Sequence, residues 1–275
     1  MSQSAPFAVQ SPAPSPRADV RGAIANASAA TGVDFGYLLG QARMESSLDP
    51  SARAGSSSAA GLFQFTSGTW LSMLRRHGAE NGLGWASDAI ASGRISDPAV
   101  REQVLSLRYD PQASALMAGE LAAENRTALS GVLGREPDAS ELYLAHFLGA
   151  DGAGRFLTGL AADPGQSAAA LLPKAASANR AIFFDDAGAP RSLGAVMGLL
   201  RTRMGAAMEG GAMPAGGDGW AAWGGSSGWN AAAPETQPQR PSMADTLAAA
   251  FGGADASAMP APVRAAYGKL QAFGL

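Results

Sequence analysis

The sequence predicts an all-α fold, and three observations carry that prediction. Apolar residues recur at three- and four-residue spacing over most of residues 19–208. Asp34, Asp97, Asp110 and Asp138 each stand just ahead of such a stretch, where helix N-caps belong. Alternating β-branched runs, the mark of strands, never exceed four residues.

Taken in order, residues 1–18 hold Pro6, Pro12, Pro14 and Pro16 among small polar residues and read as a disordered arm. Asp19 is placed as the cap of a first helix whose stripe is Val20, Ile24 and Ala27. Asp34 opens a second helix with Leu38, Ala42 and Glu45 on one face. This helix is expected to end at Asp49-Pro50, because a residue before proline resists the helical conformation. A loop of small residues covers 51–60, and a third helix is expected over 67–77. Asp97-Pro98 and Asp110-Pro111 each combine a cap with proline at the first helical position. They open helices to about Arg108 and about Gly131. A helix from Asp138 is expected to stop near Gly149, followed by two more over 151–161 and 192–208. Residues 19–208 are thus expected to form one all-α domain.

Residues 209–241 break the helical pattern with eight glycines and read as a flexible linker, which carries Trp220, Trp223 and Trp229. Beyond it, 242–275 offer two amphipathic stretches too short to be stable helices alone.

Composition narrows the function. Charged residues make up 16% of the chain, against about a quarter in a typical soluble domain, and the net charge is −3. Without a basic stripe, nucleic acid is not an expected partner. With no cysteine, there is no disulfide, thiol nucleophile or Cys-ligated zinc, and His77 and His146 are the two histidines. No metal or other cofactor is expected. No apolar run approaches the roughly 20 residues that span a bilayer, so no membrane span is expected. The start of the chain has neither the basic residues nor the apolar stretch of a Sec-type export signal.

A glutamate in a helix is ordinarily a solvated surface residue. Glu45 departs from that pattern, because it shares its stripe with Leu38 and Ala42. Soon after it comes Ser56-Ser57-Ser58-Ala59-Ala60-Gly61-Leu62-Phe63-Gln64-Phe65, a serine-rich loop running into an apolar segment. A carboxyl group in such surroundings favours its protonated form, which a general acid needs.

Three segments stand in order: Ala42-Arg43-Met44-Glu45-Ser46-Ser47-Leu48-Asp49-Pro50, then Gly61-Leu62-Phe63-Gln64-Phe65, then Thr69-Trp70-Leu71. Over roughly residues 20–160 the chain resembles the soluble lytic transglycosylases of the lysozyme-like superfamily. That family's first motif is Glu-Ser, an apolar residue and Asn/Asp-Pro. Its second is Gly-Leu-x-Gln about twenty residues later. The resemblance implies a lysozyme-like helical domain that cleaves the bond between N-acetylmuramate and N-acetylglucosamine in peptidoglycan glycan strands, leaving a 1,6-anhydro end. It makes Glu45 the catalytic acid and base, with Ser46 orienting it by hydrogen bond. Ser57 and Gln64 would line the saccharide groove, with Phe63 and Phe65 as apolar walls. One carboxylate then suffices, where glycoside hydrolysis usually uses two. The periplasm or cell envelope is the expected location, and the segment 209–275 an expected handle for an envelope, flagellar or secretion-system partner.

The family's third motif, Ala-Tyr-Asn, is altered. Here the stretch reads Tyr143-Leu144-Ala145-His146-Phe147-Leu148-Gly149, with His146 in the Tyr position and Phe147 in the Asn position. Tyr143 or His146 is expected to supply the missing donor. The departure leaves two alternatives open: a goose-lysozyme-type muramidase that hydrolyses the same bond, with Asp49, Glu80 or Asp88 as second carboxylate, or a catalytically weak peptidoglycan-binding module. For single residues the plainer assignments stand alongside: Trp70 as core, Asp49 as a turn cap, and Arg43 as a solvated or ion-paired helix residue.

Overall fold

The computed structural model describes residues 16–55, 57–90 and 95–210. The arm ahead of Pro16, Ser56 and the segment beyond Gly210 lie outside the described residues, and with them the linker and tail assignments. Among the described residues the fold is all-α, with eleven α-helices and no sheet.

The first helix, α1 (Pro16–Thr31), starts four residues ahead of the Val20 start that an Asp19 cap implies. Asp19 therefore lies in its first turn rather than at its cap, where a carboxylate still suits the positive end of the helix. Val20, Ile24 and Ala27 are fully buried, as their spacing predicts. In α2 (Phe35–Ser46) the Asp34 side chain caps the Tyr37 amide at 2.8 Å. This helix ends four residues before Pro50. Ser47 (φ 55°) and Leu48 (φ 66°) turn left-handed in succession, and their amides close back on Arg43 and Ala42. The stop is a left-handed capping turn built without glycine.

The chain then passes through α3 (Ser67–His77), α4 (Gly84–Ala89) and α5 (Pro98–Ser106). A 3₁₀ turn, Leu107–Tyr109, leads into α6 (Pro111–Leu133). Thr66, Asp97 and Asp110 cap α3, α5 and α6 with their side chains. Helix α7 (Ala139–Ala162) opens on a capping box between Asp138 and Glu141. The two helices expected over 138–149 and 151–161 are both present within this stretch, divided at Gly149, whose φ of 73° and ψ of 160° are non-helical and suit glycine alone. Three short helices follow, α8 (Ala168–Leu171), α9 (Pro173–Ala178) and α10 (Arg180–Phe183), then α11 (Leu193–Glu209). Along with α4, they were not expected, because four to six residues are too few to show a helical period.

Helix α1 packs along α6, α6 along α7, and α11 lies against both α2 and α7. Buried residues of all these helices join one apolar core, so α2 is enclosed on several sides. No described helix is long and apolar enough to cross a membrane.

Candidate active site

Glu45 sits in the last turn of α2. Its helical period places it on the buried side, below Gln41 and Tyr37, and it is 6% exposed. Two side chains from α7 meet the same carboxylate oxygen. The Tyr143 hydroxyl donates to Glu45 Oε1 at 3.3 Å, and His146 Nε2 lies 3.4 Å from it. Tyr143 and His146 stand three residues apart, hence on one helical face. Their rings stack with centroids 5.9 Å apart. Tyr143 is buried, while the His146 side chain keeps 12% of its surface and so forms the more open side of the group.

Burial drives the Tyr143 phenol well above its ordinary pKa, and the Glu45 carboxylate pushes it further the same way. Tyr37 is raised by the same two causes in the same order. Both phenols therefore remain protonated, and Tyr143 serves Glu45 as a donor. Behind them, Tyr37 Oη and Gln41 Oε1 are buried and have no hydrogen-bond partner among the described residues.

The serine-rich loop folds over the end of α2. Isolated bridges Arg53–Ala60 and Ala60–Phe65 make it a tight double-back rather than a strand pair. Ser46 differs from expectation: its hydroxyl donates to Leu62 O at 2.8 Å and Ala42 O at 3.1 Å, not to Glu45. It ties the loop to α2 beside the carboxylate. Gln64 also differs. It is 5% exposed, and its amide nitrogen donates to Gly61 O at 2.9 Å and Ala52 O at 3.2 Å, so it staples the loop instead of offering that amide to a groove. Phe63 and Phe65, expected as walls, are turned into the core; Phe65 packs edge-to-face on Trp70 at 5.3 Å. Trp70 is fully buried and donates to Val104 O at 2.8 Å, so it belongs to the core. Ser57 Oγ accepts from the Ala59 amide at 3.3 Å and shapes its own turn.

Asp49 is exposed and accepts from the Ser51 amide and hydroxyl at 2.8 and 2.6 Å. Those bonds lower its pKa and identify it as a turn cap. Glu80 and Asp88 are exposed as well. Arg43 is partly exposed and has no ion pair among the described residues; it donates to Ala207 O and Met208 O and caps the end of α11. Among the described residues no group of acidic and histidine side chains is arranged to hold a metal. A surface cavity of about 720 Å³ opens at the start of α2, lined by Val33, Phe35, Tyr37, Arg126 and Leu142, and Glu45 is not among its lining residues.

One feature was invisible in the sequence. The non-glycine residues with positive φ among the described residues are Ser47, Leu48 and Gln64. All three flank Glu45 or lie in the loop tied to it. Left-handed backbone in such residues is costly and gathers where surrounding structure over-determines it, commonly at functional sites. No protein-family model matches the chain.

Proposed function

We propose that this chain is a lysozyme-like lytic transglycosylase that cleaves the β-1,4 bond between N-acetylmuramate and N-acetylglucosamine in peptidoglycan. The observation that carries this reading is the Glu45 carboxyl, nearly enclosed at the end of α2, with Tyr143 and His146 on one of its oxygens. Their place on α7 matches the altered third motif, so the donor absent from the usual slot is supplied one turn earlier by Tyr143.

In the proposed reaction the Glu45 carboxyl gives its proton to the glycosidic oxygen as the C1–O bond breaks. The carboxylate then takes the proton of the muramyl 6-hydroxyl, whose oxygen bonds to C1. Glu45 ends protonated, no water is consumed, and the product carries a 1,6-anhydro ring. Tyr143, held neutral, stabilises the carboxylate between the two transfers. The polar side chains against Glu45 come from Tyr143 and His146, and Asp49 serves a turn, which favours this single-carboxylate route over hydrolysis. The enzyme would act in the periplasm or cell envelope.

Digestion of purified peptidoglycan followed by mass spectrometry tests the reading. Anhydro-muramyl ends are expected from the native chain, and Glu45→Gln is expected to lower their yield by about a thousandfold or more. Reducing ends bearing solvent oxygen would instead identify a hydrolase. Undiminished cleavage by Glu45→Gln would remove Glu45 from the chemistry.

A further inference from the structure

The loop that bears Gly61-Leu62-Phe63-Gln64 has no β-ladder, and its two isolated bridges and the Gln64 bonds all stay within residues 52–65. Its backbone rests instead on an arginine outside every motif. Arg108 lies in the 3₁₀ turn Leu107–Tyr109 and is 8% exposed. Its Nη1 donates to both Ser58 O and Phe65 O, the latter at 3.1 Å, and its Nε donates to Leu105 O at 2.9 Å. These partners are all backbone carbonyls, and no described ion pair includes it. Burial lowers its pKa, the mark of a cation held at a cost.

The backbone of the same residue shapes the loop as well. Gly61 has φ of 80°, and a Cβ there would come within 1.8 Å of the Arg108 carbonyl oxygen. Opposite this contact, Leu62 O accepts from Ser46, the neighbour of Glu45. The loop is thus gripped by Arg108 on one side and by the end of α2 on the other. The two N–H bonds of Nη1 lie fixed in the guanidinium plane and so set the directions of both carbonyls, whereas the donors of an ammonium rotate freely.

We propose that Arg108 is a positioning residue: through Ser58 O and Phe65 O it sets where the 58–65 segment lies relative to Glu45. Its consequence for turnover rests on the proposed role of Glu45; its hold on the loop does not. The test uses the full chain with Arg108→Lys, and Arg108→Gln as a second variant should the lysine form not fold. Amide hydrogen exchange is expected to show about tenfold or greater loss of protection confined to residues 58–65, with α1 and α6 unchanged. On peptidoglycan, kcat is expected to fall about tenfold to a hundredfold with KM nearly constant, since misplacement acts on the reacting geometry. In an Arg108→Ala chain, methylguanidinium is expected to restore part of the lost protection and rate. Unchanged exchange in 58–65, or protection lost evenly across all helices, overturns the proposal. A native chain inactive on peptidoglycan overturns the role of Glu45 instead, and the exchange result then decides Arg108 by itself.

Discussion

Tyr143 and His146 approach Glu45 Oε1 from one face of α7, so the carboxyl is held by a neutral phenol and an imidazole together. Tyr143→Phe removes the hydroxyl and leaves the ring. The expected result is kcat on peptidoglycan lowered about tenfold, the usual size of one charge-assisted hydrogen bond, with the helical circular dichroism unchanged. Full activity in that variant would assign the supporting role to His146 alone. The sequence singled out Glu45, Tyr143 and His146 through motif resemblance, and their meeting at one oxygen follows from the regular helices that carry them, since helical spacing fixes which face a side chain takes. Where Ser46, Gln64 and Phe65 point was not legible in the sequence. Their directions are set around the left-handed backbone at Ser47, Leu48 and Gln64, which interrupts any period and leaves no residue-type signature when glycine is not used. Arg108 was illegible for a related reason: its partners are carbonyls, which every residue has.

At the scale of elements, the start of α7 decides how Tyr143 and His146 are presented. Asp138 caps the amides of Ser140 and Glu141 at 2.9 Å, and Glu141 returns a bond to the Asp138 amide while pairing with both ends of Arg135. Asp138→Ala is expected to cost about 1 kcal/mol, a typical N-cap, and to lower Tm by about 2–4 °C in a thermal melt. The hydrogen bond from Arg135 lowers the Glu141 pKa against the opposing effect of burial. Burial raises Glu124, but Arg76 and His77 outweigh it and lower that carboxyl too. Because both folded values are depressed, their stabilisation is complete above the unfolded carboxylate pKa of about 4.3 and is lost as pH falls through the folded values. Acid titration followed by circular dichroism should therefore show unfolding beginning below about pH 4.3, and Glu141→Gln should flatten that dependence. The caps at Asp34, Asp97, Asp110 and Asp138 were legible, since an aspartate ahead of a helical period carries its mechanism in the residue, whereas Asp19 proved to lie inside α1 and Ser192 at the start of α11 was not foreseen. The four short helices were not, because packing rather than period defines them.

For the whole molecule, the all-α class was legible from the pattern, and the described helices run from Pro16 to Glu209, three residues ahead of 19 and one past 208. What joins its beginning to its end was hidden, because Arg43 and Ala207 are 164 positions apart. A chain ending after Gly210 keeps the Ala207 and Met208 carbonyls and is expected to melt within about 2 °C of the full protein. One ending after Gly205 removes both carbonyl partners of the part-buried Arg43 together with the buried Ala207, and a loss of about 4 °C or more is expected. Calorimetry on the two truncations separates these outcomes. The same clasp has a mechanical side. Arg43 stands two residues before Glu45 and grips the two carbonyls at the end of α11, so a displacement of that last turn is carried directly to the turn of α2 that presents the carboxyl.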